Sequence, residues 1–464
     1  MRLPLAFSED MRTLLGEEDY RMLENALHQE PVTSFRVNPQ KSFTPQPNYP
    51  ATLEKVPWCS TGFYAGERPT FTFDPLFHAG CYYVQEASSM FLEQVLTQYV
   101  HTPVVMLDLC AAPGGKSTHA ASLLPQGSLL VSNEVMRPRY PILAENLCKW
   151  GMGAVAVTNN TPAQFAELEN FFDVILTDVP CSGEGMFRKD PVAVEEWSEE
   201  NVTLCWQRQR SILQDIWPAL KPGGILIYST CTYNSYEDEH NVRWMVDQWG
   251  AEPLEIKTEA SWQITPSLTG DSLPVYHFLP HRTRGEGFFL AALRKPDEVS
   301  YTSPRLKSVK KKVKPAAVPP VCKEWLRESN SYEWECVGDE VRAYPKSQLA
   351  HIRLLQQQVP VGAAGISVAT LKGKDCIPTQ ALALCNSFSQ EAFPMFELTY
   401  EQAIAYLRKE VLVLPPSVPR GYVAVTYRHY PLGFVKNIGN RANNLYPSEW
   451  RIRSGFLPDE CKCL

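Results

Sequence analysis

Five short apolar runs separated by helical patterns set the strongest limit on what the middle of this chain can fold into. VVMLDL (104–109), SLLVSNE (128–134), AVAVT (154–158), FFDVILTDVP (171–180) and ILIYST (225–230) are each nearly continuous in apolar residues. Helical patterns fall over 116–124, 138–150 and 203–220. Strands apolar on both faces that alternate with helices predict a parallel sheet covered on both sides, a doubly wound α/β fold. The predicted strand order is 3-2-1-4-5, and ligands bind such sheets at the carboxyl ends of the strands. A Pro-Gly-Gly turn (222–224) leads into the fifth run, and GFFLAALRK (288–296) reads as a closing strand.

The flanks read differently. Residues 1–80 carry one amphipathic helical pattern, Met11 to Ala26, among strand-like pieces and prolines, and are expected to form a small α+β module. The segment 81–297 holds the sheet. Residues 298–320, rich in Pro, Lys and Ser, read as a basic linker; 321–410 form an intermediate domain with a helical pattern only over 400–409. Residues 411–464 are strand-rich, and YVAVTYRHYPLGFVKNIG (422–439) predicts a hairpin turning at Tyr430-Pro431-Leu432-Gly433.

Composition excludes several classes. No apolar run approaches the roughly eighteen residues of a membrane span, and acids throughout the first thirty residues argue against a targeting leader. A cytoplasmic protein is expected, with no membrane partner. The 13 cysteines are scattered without a Cys-x-x-Cys pair, so neither a disulfide scaffold nor a metal site is expected. The net charge of −7 alone argues against a nucleic-acid partner. Where positive charge clusters matters more: residues 305–314 hold six basic residues and no acid, and Arg420 to Gly455 six against one.

Chemistry concentrates at the strand ends. DLCAAPGGKST (108–118) is a Gly-rich turn between the first strand and a helix. It nearly completes a phosphate-binding P-loop, but Cys110 stands where the first glycine is required. The competing reading is a nucleoside cofactor, its ribose held by the acid that ends the second strand, Glu134, 26 positions beyond Asp108. The fourth strand ends in Asp178-Val179-Pro180-Cys181 and the fifth in Ser229-Thr230-Cys231. One strand-end cysteine is usually a small core residue; two on neighbouring strands call for a chemical reason. Two thiols, a carboxylate and a nucleoside cofactor suit methylation of carbon 5 of a pyrimidine. A thiolate adds to carbon 6, the carboxylate meets ring nitrogen 3 and the exocyclic amine, and the second thiol assists loss of the carbon-5 proton. The base must leave its stack to be reached.

At these motifs the chain resembles the RNA 5-methylcytosine methyltransferases of the NOL1/NOP2/Sun family. QEASSM (85–90), LDLCAAPGGKS, the Asn-Glu pair, TDVPCSGEGMFRKDP and YSTCTYN match its motifs in order. The resemblance implies a Rossmann-like methyltransferase sheet and S-adenosylmethionine as cofactor. Cys231 is implied as the nucleophile, Cys181 as the residue that assists product release, and Asp178 and Lys116 as further catalytic groups. The implied cofactor contacts are Cys110, Ala111, Ala112, Pro113, Gly114, Gly115 and Lys116 of the turn, with Glu134 and Asp178. Where the family often carries Asp-Gly after strand three, this chain reads Asn159-Asn160-Thr161-Pro162, so Asn160 and Thr161 are the expected adenine contacts. SFRVNPQK (34–41), PHRTRGEGFFLA (281–292) and the C-terminal RGYVAVTYRHYPLGFVKNIGNRANNLYP are similar to bacterial members acting on 16S ribosomal RNA that carry a PUA-like RNA-binding module. Small-subunit ribosomal RNA, free or in a 30S particle, is the implied partner, with tRNA as runner-up.

Three rivals remain at this level: methylation of an amino group, a non-catalytic RNA-binding assembly factor, and a P-loop nucleotidase. Blander roles stand beside the sharp ones. Lys116 could cap its turn; Arg188, Lys189 and Asp190 could contact RNA or order their loop. Trp206, His240, Cys148 and Cys205 read as packing residues.

Overall fold

The computed structural model describes residues 2–44, 53–297, 317–455 and 464. Most of the expected linker, 298–316, lies outside the described residues.

The helical pattern Met11 to Ala26 is two helices, Leu5–Leu15 and Glu17–Leu27, rather than one. The break is Gly16, whose φ of +81° interrupts the helical path and lets its N–H bond Arg12 O. The apolar period runs through the break, which hid it from pattern reading. A four-stranded sheet follows in the order Glu54–Lys55, Gly62–Ala65, Thr33–Val37, Tyr82–Val84. Its last strand lies beyond residue 80, where the N-terminal module was expected to end.

The central sheet is nine-stranded. Its parallel core is β1 (Val105–Asp108), β2 (Leu129–Asn133), β3 (Val155–Thr158), β4 (Phe172–Asp178) and β5 (Leu220–Thr230). These run β5-β4-β1-β2-β3, the order 3-2-1-4-5 read from the other edge. The crossover helices are α1 (Gly115–Leu123), α2 (Tyr140–Trp150) and α3 (Glu199–Ile216). Successive residues of β4 serve opposite faces: Val174 and Leu176 join the core under Leu143, Leu147 and Trp150, while Ile175 joins Leu213 and Ile216. That double burial is why the run reads as continuously apolar. The expected closing strand, β6 (Phe288–Arg294), pairs antiparallel with β5.

The C-terminal half also enters this sheet. β7 (Val361–Ala364) pairs antiparallel with β3 at the far edge. A helix absent from the pattern reading, Leu349–Gln358, buries Ile352 and Leu355 in the same core as Leu213. It was missed because three consecutive glutamines end it and its apolar face spans barely two turns. Lys41, partly buried, donates to the carbonyls of Ala79, Lys149 and Leu384, tying three parts of the chain at one ammonium.

The last sheet holds Met395–Glu397, Gly421–Tyr427, Tyr430–Asn437 and Ala442–Asn444. Its hairpin turns at Arg428-His429, both with positive φ, not at Tyr430–Gly433. Gly433 instead sits inside the strand beside a register shift, where a Cβ would lie 2.1 Å from Tyr406 Oη. The glycine answers a close approach, not a turn. No helix among the described residues is long and apolar enough to cross a membrane.

Candidate active site

The turn after β1 opens a cavity of about 190 Å³ whose lining includes Asp108, Cys110, Ala111, Ala112, Pro113, Gly115, Lys116 and Asp178. Gly114 takes a φ of +117° to start α1, a conformation few other residues adopt. The opposite wall comes from the N-terminal sheet: Tyr83, Val84 and Gln85. Gln85 is held by Arg36, whose buried guanidinium also donates to Thr118 Oγ1 (2.7 Å) and Gly115 O and stacks on Trp150. The N-terminal module therefore contributes one wall of the cavity. Sequence reading named none of Tyr83, Gln85 or Arg36 as site residues. QEASSM and SFRVNPQK were visible only as matching strings, with no local signal that they face the turn.

Two acids meet at this cavity. Asp178 accepts from Lys116 Nζ (2.8 Å) and from the Ser229 hydroxyl (2.8 Å). Burial works against the Lys116 charge, but Asp178 outweighs it and holds the ammonium above the ordinary lysine range. Lys116 therefore lines the cavity as a cation paired with Asp178. Burial pushes the Asp108 carboxyl up to about 7, against the bond from Ser117. Its second oxygen, Oδ1, is buried without a hydrogen-bond partner.

Glu134, Asn160 and Thr161 lie outside this cavity. Glu134 ends β2 buried, accepting from Met136 N–H, with Arg139 3.6 Å away. Asn160 is buried at the end of β3. Its amide donates to Pro360 O beside β7, leaving Oδ1 unpartnered. Thr161 is N-cap of a short helix in a capping box with Gln164, which accounts for its hydroxyl locally.

The two thiols meet. Cys181 Sγ and Cys231 Sγ lie 3.0 Å apart, and Cys231 N–H points at Cys181 Sγ (3.3 Å). The contact with Cys231 and burial push the Cys181 thiol well above the ordinary range. Two buried carboxylates that have no cationic partner among the described residues fix the loops. Glu184 accepts from the Thr232 hydroxyl, the N–H groups of Tyr233 and Asn234, the Asn234 amide and Trp197 Nε1. Glu237 accepts from Ser182 N–H, Asn234 and Gln209. Gly185 packs so closely that a Cβ would lie 2.4 Å from Gly287 O and 2.9 Å from Cys231 O. Gly185→Ala is therefore expected to shift the Cys231 loop and lower turnover at least tenfold, read as kcat at saturating cofactor.

The structure separates Arg188, Lys189 and Asp190. Arg188 is a buried loop-ordering residue, paired with Glu286 at 2.8 Å and bonded to Gly285 O. Asp190 caps the helix Pro191–Glu196, and Lys189 is exposed. Trp206 is half-buried under Arg210, and His240 packs edge-on against Tyr236.

A further buried trio, Cys59, Glu93 and His119, joins the N-terminal module to α1. His119 Nε2 lies 3.0 Å from Glu93 and 3.6 Å from Cys59 Sγ. Burial, reinforced by Arg36, lowers His119 to about 4; burial and Lys149 lower His78 to about 3. The unfolded chain takes up these protons as pH falls through about 6.5, and the native state does not until those lower values. Stability is therefore fully present above pH 6.5 and falls between there and pH 4, by about 3 kcal/mol for His119 alone. Urea midpoints at pH 7.5, 6 and 5 test this, and His119→Gln is expected to flatten the slope.

An open α/β sheet with a Gly-rich turn and an orphaned carboxylate oxygen fits a cofactor carrying an ammonium group. The class defined is that of S-adenosylmethionine-dependent RNA methyltransferases. The family model for 16S rRNA methyltransferase RsmB/F matches residues 97–294. The model for the N-terminal domain of 16S rRNA methyltransferase RsmF matches 3–87, and that for the methyltransferase RsmF PUA domain 393–452. Ribosomal RNA small subunit methyltransferase F of Cronobacter sakazakii is 32% identical over 98% of this chain and 97% of its own. The Escherichia coli protein of that name is 33% identical over 88% and 87%. A methyltransferase homolog from Pyrococcus horikoshii superposes with a TM-score of 0.54 at 28% identity, covering 62% of this chain and 94% of that one. NSun6 from the same organism, solved with SFG, shares the fold at 21% identity and a TM-score of 0.55, over 64% and 99%. The chain belongs to the RsmF family of 16S rRNA methyltransferases.

Proposed function

We propose that this chain methylates carbon 5 of a cytosine in small-subunit ribosomal RNA through a covalent adduct on Cys231. The observation that carries the reading is the pair of thiols 3.0 Å apart at the ends of neighbouring strands, beside the cofactor turn. An amino-group methyltransferase has no use for that pair. Residues 110–116 would hold S-adenosylmethionine, with Glu134 and Asn160 as the expected nucleoside contacts, and the cofactor would supply the methyl group to be transferred.

The chain's own residues then divide the work. Cys231 adds to carbon 6, which makes carbon 5 nucleophilic. Asp178, oriented by Lys116 and Ser229, faces the ring nitrogen and exocyclic amine. Cys181 keeps its proton while Cys231 carries negative charge beside it. Once the Cys231 sulfur is bonded to carbon 6 that charge is gone; the Cys181 thiol, now more acidic, gives its proton to solvent water and as thiolate takes the carbon-5 proton. Elimination then releases Cys231.

Ribosomal RNA as the substrate rests on the family, and RNA contact is supported by Arg420, Arg441, Arg451 and Arg453, all exposed around the last sheet. The test uses methyl-labelled cofactor with unmodified small-subunit ribosomal RNA, free and within 30S particles. The label is expected in 5-methylcytidine after digestion to nucleosides. Label in N4-methylcytidine, or in tRNA alone, would overturn the reading.

A further inference from the structure

Next to the cofactor cavity lies a second one, of about 350 Å³, between the N-terminal module and the loop that carries Cys181. The two share a wall, because Val84, Gln85 and Glu86 line both. Pro31, Val32 and Val84 give the second cavity an apolar side, and Arg68 and Lys189 stand in its lining as cations. The size falls within the range of small-ligand sites, about 300–1,000 Å³.

The charges there are not matched by an available anion. Glu86 is the acid in the lining, and its oxygens already accept from the N–H groups of Ser88, Ser89 and Glu286. Lys189 reaches no closer than 3.8 Å to Glu286, which Arg188 already holds at 2.8 Å. Arg68 lies over the Phe71 ring, its centroid 5.3 Å away. An apolar wall for a base and two exposed cations for a phosphate are the parts of a nucleotide site.

We infer that this cavity receives the RNA nucleotide next to the target base, its ring against Pro31, Val32 and Val84 and its phosphate between Arg68 and Lys189. The inference rests on the proposed RNA substrate, and the common wall sets the distance. Asp178, which the proposed reaction places against the target base, lines the first cavity, so an occupant of the second lies across the wall of Val84, Gln85 and Glu86 from that base, where the next nucleotide of an extruded strand would fall. The N-terminal module thereby serves cofactor and RNA with the same three residues. Lys189 acquires the role that its neighbours Arg188 and Asp190 do not have.

The test measures binding of the full chain to unmodified small-subunit ribosomal RNA at several salt concentrations. Arg68→Ala and Lys189→Ala are exposed changes, expected to leave the melting temperature within a degree. Each is expected to weaken RNA binding several-fold and the pair about tenfold or more. The slope of log K against log salt should lose about 0.7 per phosphate contact removed. In parallel, 4-thiouridine placed on either side of the methylated cytosine is expected to crosslink to a peptide containing Pro31 to Ser34 or Val84 to Glu86. An unchanged salt slope in the double variant, or crosslinks from both positions that map elsewhere, would overturn the site. Because affinity and salt slope need no methyl transfer, they fail separately from the cytosine chemistry, whose own failure is the absence of 5-methylcytidine with wild type.

Discussion

Cys181→Ala is expected to accumulate a covalent protein–RNA adduct that survives denaturing electrophoresis, while Cys231→Ala forms none and loses methyl transfer by roughly a million-fold, the scale on which loss of a nucleophile acts in covalent enzymes. The asymmetry follows from the proposed division of roles. The two sulfurs are in contact, and that contact with burial pushes the Cys181 thiol well above the ordinary range. Removing it leaves addition to carbon 6 possible and takes away the group that clears the carbon-5 proton, so the adduct stalls. Cys181→Ser is expected to trap as well, because a hydroxyl is far too weak an acid to release its proton at this stage. The double variant separates trapping from nonspecific crosslinking, since it must show no adduct. Full methyl transfer by Cys231→Ala would remove the nucleophile assignment, and no adduct from either Cys181 variant would remove the role of the second thiol.

The other large effect is expected at Glu184, which touches no part of the cofactor cavity. Five donors converge on its buried carboxylate, four of them from residues 232–234 directly after Cys231. Glu184→Gln keeps the shape and turns one acceptor into a donor. At least one N–H or O–H then faces another N–H in the interior, at a cost of about 2–4 kcal/mol. Because the loop that relaxes carries Cys231, the proposed nucleophile, turnover should fall about 100-fold, the scale of an ångström's misplacement, with the cofactor Kd within twofold. Glu184→Asp retains the charge and is expected to recover part of the turnover. Urea unfolding, kcat and cofactor titration on the same preparations test this. If kcat falls only in proportion to the folded fraction, the role is structural; if the cofactor Kd moves with it, the site is coupled differently from the geometry described.

Legibility followed locality. The Gly-rich turn, Asp178, Cys181 and Cys231 sit at the carboxyl ends of strands whose apolar runs are unmistakable, so pattern alone brings them to one edge. Glu184 lies inside the string CSGEGMFRKDP and still gave no sign, because its meaning is a set of bonds to a loop some fifty residues away. The break at Gly16 was hidden because the helical period continues across it. The hairpin turn was misplaced because proline and glycine mark turns more often than Arg-His does. Gly433 was needed for Tyr406, a contact no local rule reveals. Thr161, expected near the adenine, proved to be occupied with its own helix cap, and Asn160 to be oriented by the carbonyl of Pro360.

The order of apolar runs and turns was sufficient to specify the parallel sheet, its strand order and the strand ends at which two thiols and a carboxylate meet. The physical reason is that double burial and turn chemistry are written residue by residue, and strand ends inherit their position from the sheet. Tertiary structure alone decided that Tyr83 and Gln85, the latter held by Arg36, line the cavity at the Gly-rich turn, that β7 from the C-terminal half closes the far edge, and that Glu184 and Glu237 hold the loops of Cys231 and Cys181. Those are contacts between segments distant in the chain, selected by packing and by the need to satisfy buried charge.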